Sequence, residues 1–458
     1  MALIKSISGI RGTIGGIPGE NLTAQDIVEC SAAFGQWVLQ NGANPKIVIG
    51  RDARISGTWM QSLVVQTLLS LGIDIVDIGL STTPTVEMAV PSENAGAGII
   101  LTASHNPREW NALKFLNHKG EFISARDGET ILALIEQRSI VYAALDAFGK
   151  YESKHQFIDQ HIEAVLAMPL VKTAAVISKK YKIVVDAVNS TGAISVPPLL
   201  EKMGCDVILM NGEPNGHFAH NPEPLPAHLT ALSERVLAEK ADLGIAVDPD
   251  VDRLAFINED GQPFGEEYTL VAVADYILKY RKGNTVSNLS STRALRDVTV
   301  KWGGQYHASA VGEVNVVEQM KAVKAVIGGE GNGGIIVPDL HYGRDALAGI
   351  ALFLSHLAET GLSMSALRAS YPNYFMVKDK IALTKEVDLP GILEKIHDKY
   401  KTEECNTIDG LKIDFEQGWV HLRKSNTEPI IRIYSESVSE AAAEKLVEQL
   451  KRDIEAFG

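Results

Sequence analysis

The sequence predicts an α/β protein of three similar α/β units followed by a smaller α+β unit. Three observations predict it. Short apolar runs that read as strands alternate with helix-like segments over most of the chain, the pattern of parallel βαβ units. Three of those runs, in GAGIILTASHN, DLGIAVDPDVD and AVIGGEGNGG, each empty into a polar loop, one per unit. That layout suggests related domains turning the same edge toward one cleft. The last part then groups its strands before one amphipathic helix. The expected divisions are 1–150, 151–254, 255–369 and 370–458.

The bulk numbers bound the rest. At 458 residues the chain is long for a single core. Composition is that of a globular protein, 45% hydrophobic and 22% charged. A net charge of −14 argues against nucleic acid or an anionic membrane as the main partner, and small anions would need local cations or a metal. Cys30, Cys205 and Cys405 are scattered, with no CxxC pair, which suits a reducing compartment. No signal-peptide pattern opens the sequence and no run approaches a membrane span, so a cytoplasmic protein is expected.

Taken in order, SISGIRGTIGGIPG is Gly-rich and sets Arg11 between glycines, on a backbone free to approach a ligand. Leu22–Gln40 reads as a helix capped at Thr23. KIVIG (46–50) is a buried strand followed by RDAR, 57–71 is helical, and 73–79 is a strand. The small-residue run 95–100 then ends in LTASHNPREWNALK. Residues 124–170 are mostly helical. KIVVD (182–186) opens the second unit, and a Pro/His-rich loop, 212–226, covers part of it; His217 and His220 there fit no common zinc spacing. The third unit holds a helix at 266–280, a strand at 325–329 and a helix at 343–359. Strands are expected at 379–383, 411–415, 419–423 and 430–434, and Leu446, Val447, Leu450, Ile454 and Phe457 form the apolar face of a terminal helix.

Four loops carry chemistry. TASHNP puts Ser104 on a stiff turn among polar neighbours, as a nucleophile or a phosphate carrier requires. A hydrolase triad does not suit it: there is no GxSxG elbow, and His105 is the adjacent residue. Asp248, Asp250 and Asp252 place three carboxylates on alternate residues, a costly arrangement without a cation. EF-hand spacing fails because Arg253 stands where glycine is needed and 254–257 reads as a strand, so Mg²⁺ is the better candidate. GEGNGG offers Glu330 and Asn332, a carboxylate and an amide suited to sugar hydroxyls, although alone it is only a Gly-rich turn. R-K-S-N-T-E-P-I-I-R, from Arg423 to Arg432, sets two arginines around a turn of hydroxyls and amides, a composition suited to phosphate.

In this order, TASHNP with Asn111 and Lys114, DPDVDR, GE-x-x-GG and R-x-SNTEP-x-x-R resemble the α-D-phosphohexomutase superfamily over essentially the whole chain, and within it the phosphoglucosamine mutases most. The resemblance implies four domains around a central cleft. It implies a mutase that interconverts glucosamine 6-phosphate and glucosamine 1-phosphate and feeds UDP-N-acetylglucosamine synthesis. The alternative is a phosphomannomutase/phosphoglucomutase. It makes Ser104 the phosphoserine, with a hexose 1,6-bisphosphate as activator and intermediate, and His105 its hydrogen-bonding neighbour. One Mg²⁺ per chain would sit on Asp248, Asp250, Asp252 and the Ser104 phosphate. Arg11, Lys114 and Arg253 would act near the transferring group, Lys114 as base or charge stabiliser. Glu330 and Asn332 would meet the sugar, and Arg423, Ser425, Asn426, Thr427 and Arg432 the phosphate that is not reacting. The partner is a small hexose phosphate, with neither nucleic acid nor membrane, and the protein a monomer or homodimer. Two departures stand out. Gly334 occupies a position where relatives often carry a histidine, so no general acid is assigned, and Asn111-Ala112 replaces the more usual Asn-Gly.

Overall fold

The computed structural model describes residues 3–6, 9–137, 139–382, 388–424 and 430–457. The chain divides into two compact units. Unit 1 comprises Met1–Tyr276 and Asn332–Leu367; unit 2 comprises Ile277–Gly331 and Arg368–Gly458.

Unit 1 holds the first two sheets. The first is seven-stranded, in the order Leu3–Ser6, Gly9–Thr13, Trp110–Leu116, Ala97–Leu101, Lys46–Arg51, Asp74–Leu80, Tyr151–Ser153. Its second half is parallel, as the alternating pattern predicts, while 110–116 returns antiparallel from the TASHNP loop to meet 97–101. Consecutive residues of a strand face opposite ways, so Ile47 and Ile49 join one core with Phe34, Met60 and Leu68, and Val48 joins another with Val86, Val90 and Phe157. The helix Ala24–Gln40 starts where Thr23 caps it, with Asp26 completing a capping box. The second sheet is four-stranded, in the order Leu254–Asn258, Leu243–Val247, Lys182–Asp186, Asp206–Met210.

Two expected boundaries shift for a physical reason. Tyr151–Ser153 pairs alongside Asp74–Leu80, so the first sheet runs past 150. Leu254–Asn258 folds back antiparallel on Leu243–Val247, so the strand after the DPDVDR loop belongs to the second sheet and not to a unit starting at 255. Backbone hydrogen bonding left by an edge strand decides both cases.

Unit 2 contains the parallel strands Tyr306–Ser309, Asn284–Asn288 and Ala325–Glu330. The expected terminal domain is present as a five-stranded sheet, Phe375–Ala382, Ile430–Ser437, Gly418–Lys424, Leu411–Phe415 and Glu404–Asn406, backed by the helices Leu389–Lys399 and Glu440–Phe457. Arg293 fastens the two parts of unit 2: its guanidinium reaches Asp414 Oδ1 and the carbonyls of Phe415 and Gly418, and its backbone N–H donates to Glu436. No helix among the described residues is long and apolar enough to cross a membrane.

Within unit 1 the helix Ala346–Thr360 is buried along nearly its whole length, and Phe353 stacks on Phe256 with centroids 4.0 Å apart and meets Phe264 edge-on at 5.2 Å. Replacing Phe353 with alanine removes both ring contacts and leaves a cavity. Urea unfolding followed by circular dichroism is expected to report a loss of about 3–5 kcal/mol.

Candidate active site

The TASHNP loop leaves the carboxyl end of the strand Ala97–Leu101, where open α/β sheets gather ligands. Ser104 is buried and takes a left-handed backbone, φ 48°. A non-glycine residue holds that conformation only when its surroundings fix it. Arg54, fully buried, supplies the fixing. All of its N–H directions are used: Nε on Asp52 Oδ2 (3.1 Å), Nη1 on the carbonyls of Pro107 (2.7 Å) and Trp110 (2.9 Å), and Nη2 on those of Ser104 (2.5 Å) and Asn106 (2.6 Å). Thr102 Oγ1 adds a bond to Asp52 Oδ2 and accepts the Ser104 N–H. Phe218, from the Pro/His-rich loop, lies over the Arg54 guanidinium at 5.0 Å.

So held, Ser104 Oγ donates to Asp248 Oδ2 at 2.6 Å. Asp248, Asp250 and Asp252 are each completely buried, and one ligand atom from each lies within 4.8 Å of the other two. The loop that carries them is pinned from three directions. Ser190 and Thr191 hydroxyls donate to the Pro249 carbonyl, the Thr83 N–H to that of Asp250, and the Ala346 N–H to that of Val251. Val251 is itself left-handed, φ 62°, an unusual state for a β-branched residue and a second point of strain at the site.

Charge explains the next layer. Lys114 Nζ donates to Asp250 Oδ2 (2.8 Å) and lies 3.8 Å from Asp252 Oδ2; Thr83 Oγ1 also bonds Asp250 Oδ2 (2.7 Å). Arg344 Nη2 donates to Asp252 Oδ2 at 2.6 Å. Burial acts to raise the Asp250 pKa, but Lys114 and the hydrogen bonds outweigh it and hold this carboxyl below its ordinary range. Asp248 goes the other way: burial, then Asp252 and Asp250, push it well above the ordinary value. Burial also opposes the Lys114 charge, yet the two aspartates raise its pKa, so Lys114 is an ammonium here. His105 is pushed down to about 2 by burial and by Arg253 and Arg344, so its ring is neutral, with Nδ1 3.4 Å from Ser104 Oγ.

A divalent cation fits this chemistry. The donors are hard oxygens, as Mg²⁺ requires. Among the described residues nothing donates to Asp250 Oδ1 or Asp252 Oδ1, although both are buried. Three close carboxylates, two of them with an unfilled oxygen, are what a cation would satisfy.

The other predicted residues fall as follows. Arg253 Nη1 pairs with Glu223 Oε1 at 2.8 Å, so the covering loop reaches the site through Glu223, while His220 bonds Asp186 instead. Arg11 lies on Gly9–Thr13, in register with Ala112, and so faces the same side of the sheet as Lys114. Asn332 is in unit 1, where its Oδ1 accepts the Gly334 N–H. Gly333 has φ 84°, and a Cβ there would lie 2.2 Å from the Leu254 carbonyl oxygen, so glycine is obligatory. Glu330, Arg423 and Arg432 belong to unit 2. Glu330 Oε1 accepts from Asn288 Nδ2 (2.9 Å) and from the Gly312 N–H (3.2 Å); the adjacent Val311 N–H donates to Asp409 Oδ2 (3.0 Å), which lies 3.7 Å from Arg423 Nε. Ser425, Asn426 and Thr427 lie outside the described residues.

Sequence reasoning missed Arg54 and Arg344. The RDAR segment was visible after its strand, but nothing marked Arg54 as a clamp. Gly334, which stands where relatives often carry a histidine, is also the signal for Arg344: a Cβ at 334 would stand 2.4 Å from Arg344 Cδ, so Arg344 fills that space.

Family models match the chain in succession. Phosphoglucomutase/phosphomannomutase alpha/beta/alpha domain I covers residues 4–140, domain II 159–261, domain III 265–374 and the C-terminal domain 377–452. A phosphoglucomutase/phosphomannomutase of Thermococcus kodakarensis is 35% identical over 444 residues, covering 95% of this chain and 96% of that one. A probable phosphoglucosamine mutase of Methanopyrus kandleri is 33% identical, covering 96% and 95%. Among solved structures, a phosphoglucomutase/phosphomannomutase family protein from Burkholderia thailandensis superposes with a TM-score of 0.86 at 26% identity, over 99% of this chain and 97% of that one.

Arg54→Lys keeps the charge but not the planar fork. With the Ser104 loop loosened, kcat is expected to fall about 10²-fold with KM changed far less, measured in steady-state assays alongside the thermal midpoint of the variant.

Proposed function

Given that the chain belongs to the phosphoglucomutase/phosphomannomutase family and is thus a phosphohexomutase, an isomerase, we propose that it interconverts glucosamine 6-phosphate and glucosamine 1-phosphate, supplying UDP-N-acetylglucosamine synthesis. The observation that carries the phosphoserine mechanism is the Ser104 hydroxyl, held by Arg54 at 2.6 Å from a buried carboxylate in a three-aspartate cluster. The choice of amino sugar rests on the resemblance of the motifs and on relatives such as the Methanopyrus protein.

Ser104 carries the phosphoryl group. In the first transfer the bond between phosphorus and Ser104 Oγ breaks as a bond to the free sugar hydroxyl forms; the hydroxyl loses its proton and Ser104 Oγ regains one. The product is a hexose 1,6-bisphosphate. It turns over while bound and returns its other phosphoryl group to Ser104, leaving the isomerised monophosphate. Asp248, Asp250, Asp252 and the Ser104 phosphate would hold one Mg²⁺, which when bound offsets the charge of the transferring group. Lys114, Arg344 and Arg253 add fixed positive charge beside it, the preorganised stabilisation on which phosphoryl transfer depends. Glu330 and Asn332 meet the sugar hydroxyls. Arg423, Ser425, Asn426, Thr427 and Arg432 hold the phosphate at the end that is not reacting, and Arg11 adds a cation near the serine. The partner is this small phosphosugar. The protein works in the cytoplasm as a monomer or homodimer.

A second reading, action on glucose or mannose phosphates, is favoured by the name of the Thermococcus relative. Assays of the three 6-phosphates side by side, primed with a hexose 1,6-bisphosphate, separate the two. The highest kcat/KM is expected for glucosamine 6-phosphate; a higher value for glucose or mannose would hand the case to the alternative. Intact-mass and peptide mapping should find one phosphoryl group, on Ser104, and none in Ser104→Ala, which should be inactive. Stripping divalent cations with EDTA should stop turnover and Mg²⁺ should restore it, with Asp252→Asn needing far more Mg²⁺ to reach half-activity.

A further inference from the structure

Behind the aspartate loop, on the side of Thr83 and Arg344, lies a second cluster of ligating groups that the phosphoryl transfer does not use. Nε2 of His161 lies 2.8 Å from Asp345 Oδ2, and Nε2 of His341 lies 3.1 Å from the same oxygen. Each of the three residues offers one donor atom within 4.8 Å of the others. We propose that His161, His341 and Asp345 form a second cation site, selective for a zinc-class divalent ion, that ties three segments of unit 1 together behind the catalytic loop.

The donor set points to that class of metal. Two imidazoles and a carboxylate suit Zn²⁺ and its neighbours, whereas Mg²⁺ prefers oxygen alone. The chain therefore presents two sites of opposite preference, an all-oxygen one in the aspartate loop and a nitrogen-rich one behind it. Size agrees as well. A tetrahedral zinc at about 2.0–2.1 Å from each donor needs donors about 3.3 Å apart, so side-chain shifts of a few tenths of an ångström open the observed 2.8 and 3.1 Å separations.

The groups behind the donors are a separate observation. A metal-bound imidazole normally gives its other ring N–H to a carboxylate, hydroxyl or carbonyl, which fixes its tautomer. Here His161 Nδ1 is hydrogen-bonded to Thr85 Oγ1 at 2.9 Å, and His341 Nδ1 lies at an ion-pair distance of 3.2 Å from Glu87 Oε2, without hydrogen-bond alignment. Both partners stand on the helix Thr83–Ser92. Asp345 is braced in turn, its Oδ1 capping the helix Ala346–Thr360 by accepting from the N–H groups of Leu347 and Ala348. Glu87 fits only because residue 343 is glycine: a Cβ there would lie 1.7 Å from Glu87 Oε2. His161, Asp345 and Glu87 are buried, and His341, partly exposed, leaves a way in. A divalent ion would balance the two carboxylates with both imidazoles neutral.

The three segments joined are the helix Thr83–Ser92, the helix Phe157–Leu166 that carries His161, and the turn leading into Ala346–Thr360. The first also presents Thr83 to Asp250, and the last presents Arg344 to Asp252. A cation here would therefore brace both sides of the catalytic loop.

The test uses the full chain, stripped with chelator and returned to excess Mg²⁺ so that the all-oxygen site is filled. Co²⁺ is then titrated and its visible d–d absorption read. The expected result is one equivalent of Co²⁺ per chain in a nitrogen-containing site, displaced by Zn²⁺ and retained by Asp252→Asn. His341→Asn and His161→Gln should each abolish the absorption, and Glu87→Gln should weaken binding about 10–100-fold. Wild-type protein that takes up no Co²⁺ under Mg²⁺ would overturn the proposal, leaving the cluster as histidines bonded directly to Asp345. So would Co²⁺ binding that persists unchanged in the folded His341→Asn protein.

Discussion

Burying three carboxylates side by side is the constraint around which unit 1 is arranged. Mutual repulsion and lost hydration both oppose it, and each carboxylate meets that opposition differently. Asp250 and Asp252 draw on Lys114 and Arg344, while Asp248 takes the hydroxyl of Ser104 and two backbone N–H groups, those of Asp252 and Arg253. These groups come from distant parts of the sequence, so the cluster exists only when both sheets of unit 1 and the start of the helix Ala346–Thr360 are in place. Assembly of the aspartate cluster therefore depends on the folded unit and not on its own loop alone.

The backbone bears the matching load. Ser104 and Val251, the two left-handed residues of the facing loops, are fixed by bonds to main-chain carbonyls, four of them to Arg54 in one case and the Thr83, Ser190, Thr191 and Ala346 contacts around the other. Strain held in this way aims a side chain without needing it to pack. It accounts for the position of the Ser104 hydroxyl, which TASHNP alone leaves open.

What could be read in the sequence follows from how local its causes are. The strands at 46–51, 182–186 and 243–247 and the helix opened by Thr23 are written in consecutive residues, and so are the three aspartates. Asn284–Asn288, NTVSN, is a buried strand that reads as polar, and Tyr151–Ser153 is too short to show a period. Arg54 spends most of its donors on carbonyls, which carry no side-chain signature. Arg344 and Asp252 meet across 92 residues, and His161 and Asp345 across 184. No local pattern encodes such pairs. The motif order supplied the family; the arginines that hold its parts in place became visible only with coordinates.

Unit 2 carries a different kind of information. Glu330 is tied through the Val311–Gly312 turn to Asp409, and Asp409 sits against Arg423. Glu330 and Arg423 are thus linked through the Val311–Gly312 main chain and the Asp409 side chain. Displacing that turn would therefore disturb the partner of the carboxylate at one end and the partner of the guanidinium at the other.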